Sequence, residues 1–190
     1  MSEPRRIIVA LSGASGPHYG VRLLEVLRAI EGVETHAIVS AGALKTIAFE
    51  LDRDAASVIA LADVVHDERN LAASIASGTF LTDGMAIAPC SIKTLAAVAN
   101  SFNDNLIARA ADVCLKERRP LVLTVRETPL HAGHLRLMLR ASEIGAVILP
   151  PVPAFYHRPS SIGDLIDHTV TKILDQFGID AGLISRWEGL

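Results

Sequence analysis

The sequence predicts an α/β fold in three layers, with helices on both faces of a doubly wound, mostly parallel sheet. Three observations lead there. Short apolar runs alternate with segments of helical period along the chain. The runs are apolar throughout instead of at every second residue, as strands covered on both faces are. Several end in a turn of small or hydroxyl-bearing residues that opens the next helix, as in "LSGASG" and "PCSIKT".

The first strand is "RIIVALS" (6–12), followed by a helix from about Tyr19 to Ile30 with Val21, Leu23, Leu24 and Leu27 on one face. "ETHAIVS" (34–40) is the second strand and "AGALKTIAFEL" (41–51) the helix after it. "GMAIAPC" (84–90) is a third strand, which turns at Pro-Cys-Ser into the helix "SIKTLAAVAN" (91–100). "NLIARAADVCLKE" (105–117) is helical, "PLVLTVRE" (120–127) a strand, and "HLRLMLRASEIG" (134–145) a helix closed by Gly145. "AVILPP" (146–151) is a further strand, and "SIGDLIDHTVTKILDQFG" (161–178) a final helix closed by Gly178. The architecture these elements describe is Rossmann/flavodoxin-like.

With 190 residues and no linker or repeat, one domain spanning 1–190 is expected. Half of the residues are hydrophobic and 21% are charged, so a real core forms and global disorder is excluded. Aromatics are only 4%, which suits helices packed closely on a sheet better than a β-sandwich. The net charge of −3 shows no basic excess, so neither nucleic acid nor an anionic membrane is an expected partner. Cys90 and Cys114 are too few for a disulfide framework, which points to a reducing, cytoplasmic setting. The N-terminus lacks the apolar core of a secretion signal, and "IGAVILPPVPAFY" is too short to span a bilayer.

Ligands of such sheets bind outside the carboxyl ends of the strands, so site residues are sought there. After the first strand, Gly13 and Gly16 allow close backbone approach and Ser15 adds a hydroxyl. The helix that follows aims N–H groups and a partial positive charge at the turn. A phosphate is the natural guest, with glycines for packing alone as the alternative. The turn is neither GxGxxG nor a Walker A, which argues against dinucleotide binding and ATP hydrolysis. Ser40 follows the second strand, either as a ligand contact or as an ordinary N-cap. Ser91 and Thr94 bracket the amides of Ile92 and Lys93 after the third, where Cys90 reads as a small buried thiol in preference to a thiolate nucleophile. Arg126 and Glu127 emerge at a strand end, as a structural salt bridge or as an anion contact beside a proton-transfer carboxylate. The stiff "PPVPAFYHRP" loop carries Phe155 and Tyr156, and Lys172 on the last helix is a phosphate ligand or a solvated lysine. "LKERRPL" reads as a basic helix end, and His131 with His134 lacks the companions of a metal site.

Taken together, "SGASG", "PCSIKTL", "RAADVCLKERRPLVLTVRETPLH", "HLRLM", "GAVILPPVPAFYHRP", "ILDQFGI" and "RWEGL" resemble the UbiX-type flavin prenyltransferases over nearly the whole chain. That family lies in the flavodoxin-like flavoprotein superfamily. The resemblance implies a metal-independent transfer of a dimethylallyl group from dimethylallyl phosphate to N5 and C6 of reduced FMN. The product, prenylated FMN, serves UbiD-type decarboxylases. A homododecamer is implied as well. Carried over by motif, Gly13, Ala14, Ser15, Ser40, the turn of Ser91, Ile92, Lys93 and Thr94, and Arg126 contact FMN. Tyr156 and Lys172 bind the prenyl phosphate, while Glu50 and Glu127, with Ser15, serve proton handling and the phosphate environment. Arg109 and Lys116 reach a neighbouring subunit's site.

These residue types suit the chemistry. Breaking an allylic C–O bond without a metal requires donors on the departing phosphate, and amides, Ser15, Tyr156 and Lys172 provide them. The pocket must exclude water from the developing allyl cation. A carboxylate such as Glu127 suits removal of the C6 proton. Position 172 departs from the arginine common in the family, and a lysine lacks its bidentate fork. Pro17 and His18 are further departures, with His18 expected to face solvent. The alternatives are an FMN-dependent cysteine decarboxylase of the same superfamily, and a non-catalytic FMN-binding subunit of a multi-component aromatic-acid decarboxylase.

Overall fold

The computed structural model describes residues 3–187 and 189; Glu188 and Leu190 of "RWEGL" lie outside the described residues. Six strands are present: β1 (Arg5–Leu11), β2 (Val33–Val39), β3 (Val64–His66), β4 (Gly84–Cys90), β5 (Leu121–Val125) and β6 (Val147–Ile148). All pair in parallel, in the order β3-β2-β1-β4-β5-β6. This is a doubly wound sheet whose order reverses between β1 and β4, and the crevice at that point is where such folds bind ligands. Among the described residues six α-helices lie between strands, α1 (His18–Arg28), α2 (Ala41–Glu50), α3 (Ala55–Ile59), α4 (Ile92–Ala99), α5 (Leu106–Lys116) and α6 (Ala132–Glu143), and α7 (Ile162–Asp175) follows β6.

Successive strand residues point to opposite faces, and each face has its own core. Ile7, Val9 and Leu11 of β1 pack with Leu23, Leu24 and Leu27 of α1 and with Ile173 and Leu174 of α7. Ile8 and Ala10 pack with Leu95 of α4, Ile107 and Ala111 of α5, and Ala141 of α6. Close helix-to-sheet approach needs a missing side chain at Gly20, where a Cβ would lie 2.1 Å from the Ala88 carbonyl oxygen. Gly20 thus lets α1 rest on the very strand that bounds the crevice.

The elements depart from expectation in three places. β3 and α3 were not predicted: β3 has three residues, none fully buried, so no apolar run announces it. Its order comes from pairing with His36–Ile38 of β2. The strand predicted over 146–151 shrinks to Val147–Ile148 at the sheet edge, because Pro150 and Pro151 lack the N–H that a ladder needs. β5 ends at Val125, so Arg126 and Glu127 stand in the turn that follows it.

Candidate active site

The turns after β1, β2, β4 and β5 meet along one edge of the sheet. Ser12, almost wholly buried, ties two of them across the switch point. Its hydroxyl donates to the Pro89 carbonyl at 2.9 Å and accepts the Ser91 amide at 2.8 Å. Gly13 and Gly42 bring the β1 and β2 turns into contact, since a Cβ on Gly13 would lie 3.1 Å from the Gly42 Cα. Gly16 has φ +89°, a left-handed conformation that favours glycine. The buried Ala14 anchors the turn below it.

Two hydroxyls open helices at this edge. Ser40 accepts the Ala43 amide at 3.0 Å, and Ser91 accepts the Thr94 amide at 3.3 Å while its hydroxyl pairs with that of Thr94 at 3.1 Å. Both serines are N-caps. At α4 the cap uses the third amide and leaves those of Ile92 and Lys93, which no intrahelical carbonyl reaches, for an outside acceptor. The Lys93 side chain leans away toward Asp104 at 3.8 Å, so only its backbone belongs to the site.

Glu50, at the end of α2, reaches back to the first turn. One carboxylate oxygen accepts the Ser15 hydroxyl at 3.0 Å and the Gly16 amide at 2.8 Å. The side of the turn facing β5 bounds a cleft of about 360 Å³, lined by Ser15, Gly16 and Tyr19, by Arg126 to Thr128, and by Pro150 to Val152. Arg126 is half-buried and makes no ion pair among the described residues, against the salt-bridge alternative. Glu127 is exposed and accepts its neighbour's Thr128 amide at 2.9 Å. Burial raises the pKa of Tyr19, with the Arg126 charge pulling the other way.

Free amides, small residues that admit close approach, and an unpaired guanidinium on one wall fit a flat phosphorylated ligand with polar edges, and FMN is such a molecule. A larger cavity of about 530 Å³ opens at the outer end of β2 and β3, lined in part by Ala41, His66, Glu68 and Arg69. Glu68 there accepts the Ala41 amide at 2.8 Å, so an acidic side chain already occupies that helix start.

Four further candidates lie elsewhere. Tyr156 and Lys172 are not among the residues lining the cleft. The Tyr156 hydroxyl is 2.9 Å from His168 Nε2 on α7, and Lys172 pairs with Asp175 at 3.1 Å in the last turn of that helix. α7 ends near the amino edge of the sheet, where Phe177 meets Gly84 and receives a hydrogen bond from Arg5. Arg109 donates to the Ala76 carbonyl at 3.0 Å and pairs with Asp112 at 3.2 Å. Lys116 pairs with Glu117 at the end of α5, where the chain enters the amino end of β5. β4 alone, seven residues long, puts about 20 Å between the two edges. Lys116 is therefore remote from its own chain's cleft.

The remaining candidates sort plainly. Cys90 is wholly buried, and burial pushes its thiol up to about 12, so it is no thiolate at neutral pH. His18 is exposed and lines a separate groove with Arg22 and Asp167, while Pro17 is the residue before α1. The His131 and His134 rings lie 3.6 Å apart, and His131 caps α6 by accepting the Gly133 amide. Among the described residues no group of three His, Cys, Asp or Glu is arranged to hold a metal. Sequence reasoning missed Ser12, Tyr19 and Gly42. The hydroxyl that precedes Ser15 in "LSGAS" was the one local signal for Ser12.

Residues 1–173 match the Flavoprotein family model. Flavin prenyltransferase UbiX of Escherichia coli K12 is 60% identical over 187 residues, covering 97% of this chain and 99% of that protein. The solved structure of AnUbiX (PadA1) in complex with FMN and dimethylallyl pyrophosphate superimposes with a TM-score of 0.96 at 52% identity, covering 98% of this chain and 99% of that one. A dodecameric FMN-dependent Ubix-like decarboxylase from Escherichia coli O157:H7 superimposes at 0.94 with 47% identity, covering 97% and 100%. The crevice between β1 and β4, its hydroxyl-bearing turns and these likenesses lead to one conclusion: the chain belongs to the UbiX flavin prenyltransferases of the Flavoprotein family.

Proposed function

We propose that this protein moves a dimethylallyl group from dimethylallyl phosphate to N5 and C6 of reduced FMN, and that prenylated FMN leaves for a UbiD-type decarboxylase. The observation that carries the reading is one cleft with anion donors on one wall and carboxylates within reach. Ser15 and Gly16, held by Glu50, face Arg126 and Glu127 across it. Reduced FMN, when bound, supplies the electron-rich atoms at which the prenyl group is attached.

Each residue has a task in this reading. Gly13, Ala14, Ser40 and the amides of Ile92 and Lys93, with Ser91 and Thr94, hold the flavin's polar groups, and Arg126 neutralises an anionic one. Ser15 stands beside the phosphate of the donor. Its hydroxyl already meets the Glu50 carboxylate, so a proton held by Glu50 is one hydrogen bond from the cleft. Glu127 takes the C6 proton. In the isolated chain Glu127 is exposed, so the water exclusion this step needs comes from packing against further chains.

A homododecamer meets that need and explains the scattered cations. Phe49, Ile162 and Phe155 are 92%, 76% and 69% exposed, an apolar load that subunit burial removes. In the assembly Arg109 and Lys116 reach a neighbour's cleft, and Tyr156, from the loop before α7, and Lys172, from α7 itself, approach the prenyl phosphate. We place the protein in the cytoplasm: Cys90 and Cys114 are unbridged, and no helix among the described residues is long and apolar enough to cross a membrane.

The test is anaerobic incubation of the purified protein with reduced FMN and dimethylallyl mono- or diphosphate, then mass analysis of the flavin. A gain of one C5 unit is expected with at least one donor. Unmodified FMN with both would contradict the proposal and leave an FMN-binding subunit.

A further inference from the structure

Tyr156 sits on a loop, is 54% exposed, and could satisfy its hydroxyl with water alone. It is nevertheless held. Its hydroxyl lies 2.9 Å from Nε2 of His168, a residue only 9% exposed in the body of α7. A hydrogen bond at an exposed phenol adds little to stability, because water replaces it at almost no loss. What the contact does fix is direction.

The imidazole is well placed for that. His157 lies parallel to it, with ring centroids 5.0 Å apart and 6° between the planes. Tyr156 meets His168 edge-on at 5.6 Å and 79°, and meets His157 at 5.5 Å and 75°. Trp187 adds a third edge contact to the tyrosine at 6.1 Å. A ring packed between such neighbours has its tilt settled, and with it the line along which Nε2 points. His168 also precedes Lys172 by four residues, the spacing that puts two side chains on one helix face. Asp175, one turn on, holds Lys172 at 3.1 Å and Arg186 at 2.9 Å, so the lysine too is oriented.

We infer that His168 is a positioning residue for capture of the prenyl phosphate: through Nε2 it holds the Tyr156 oxygen so that the phenol's own hydrogen points outward, beside the Lys172 ammonium, as one anion-binding edge. The inference rests on the reading of Tyr156 as a prenyl-phosphate contact. It involves no proton transfer. A neutral imidazole with its hydrogen on Nε2 donates to the phenol oxygen, and the phenol hydrogen remains for a phosphate oxygen. Burial first, then the charges of His157 and Lys172, lower the His168 pKa, which keeps the ring uncharged at neutral pH.

The test is steady-state kinetics on assembled His168→Phe, His168→Gln, Tyr156→Phe and the Tyr156→Phe/His168→Phe pair, with FMN affinity measured separately. His168→Phe keeps the ring and removes the hydrogen bond. A rise in KM for dimethylallyl phosphate of roughly 3- to 10-fold is expected, the range of one neutral hydrogen bond, with FMN affinity unchanged. His168→Gln, which places an N–H near the same point, is expected to return KM to within about 2-fold of the parent. The double variant is expected to be no worse than Tyr156→Phe alone, because the histidine acts only through the tyrosine. If His168→Phe does not assemble, His168→Asn takes its place with the same expected rise. A parental KM in His168→Phe, or a double variant in which the two effects add, overturns the role of His168 while leaving Tyr156 in place. A parental KM in Tyr156→Phe overturns the reading beneath it as well.

Discussion

Glu50 closes on the turn it serves, and that contact separates the two glutamates by task. Glu50 is bound to Ser15 and Gly16, whereas Glu127 stands exposed on the opposite wall with only its neighbour's amide. Glu127→Gln removes the proposed base and keeps the shape, so turnover is expected to fall at least about 100-fold, the usual reach of general-base catalysis, while FMN still binds. Stopped-flow product formation beside a flavin titration checks both halves; unimpaired turnover removes Glu127 from the mechanism. Lys172→Ala is expected to raise KM for the prenyl phosphate more than it alters FMN affinity. Lys172→Arg is expected to lower that KM, because a guanidinium offers two parallel donors where an ammonium offers one point charge. An unchanged KM in Lys172→Ala returns it to a solvated lysine paired with Asp175. Ser40, Ser91 and Arg126 could be placed at the sheet edge from the sequence because each directly follows a strand, and Gly13 and Ser15 because they lie in the turn after β1. Ser12 and Gly42 were not, since their partners are brought up by the fold: Ser12 meets Pro89, 77 residues away, and Gly42 meets Gly13.

At the scale of elements, α1 bounds the crevice and α7 packs on the same face of the sheet. Gly20 lets α1 lie on β4, and Gly20→Ala drives a methyl into the Ala88 carbonyl. Overpacking of this kind destabilises by about 1–3 kcal/mol, and a lower thermal midpoint with less soluble protein is expected. α7 starts on a capping box in which Ser161 and Asp164 bond each other's backbone amides. The backbone amide of Ser160, then the hydroxyls of Ser161 and Ser160, lower the Asp164 pKa to about 2 from its ordinary 3.8. A carboxylate with a depressed folded pKa adds stability that is complete above its unfolded pKa and is lost as pH falls through the folded one. The gap in thermal midpoint between the parent and Asp164→Asn is therefore expected to be level above about pH 5 and to close between about pH 4 and pH 2. A gap independent of pH contradicts the assignment. The long strands and helices were readable because apolar period decides them. β3 was not, because its three half-exposed residues depend on β2 for their pairing.

On the scale of the whole molecule, the chain carries two surfaces that do not meet within it. The cleft of Ser15, Arg126 and Glu127 lies at the carboxyl edge of the sheet, and Lys116 lies at the amino edge. Exposed Phe49, Phe155 and Ile162 are the apolar area that the proposed assembly would bury. Composition and the ordering of motifs made the fold readable, but they say nothing of how chains pack, so the proposal that a site is shared between chains had to wait until each cation was located on the folded chain. The most direct check of this central claim is subunit mixing. Glu127→Gln and Lys116→Ala chains, each inactive alone, are co-assembled with different tags, and prenylated FMN is measured by mass in the purified mixed oligomers. If each site draws Glu127 from one copy and Lys116 from another, random mixing restores roughly a quarter of the sites and so of the parental activity. Mixed oligomers as inactive as their parents would show that no site is shared in this way, and would contradict the account.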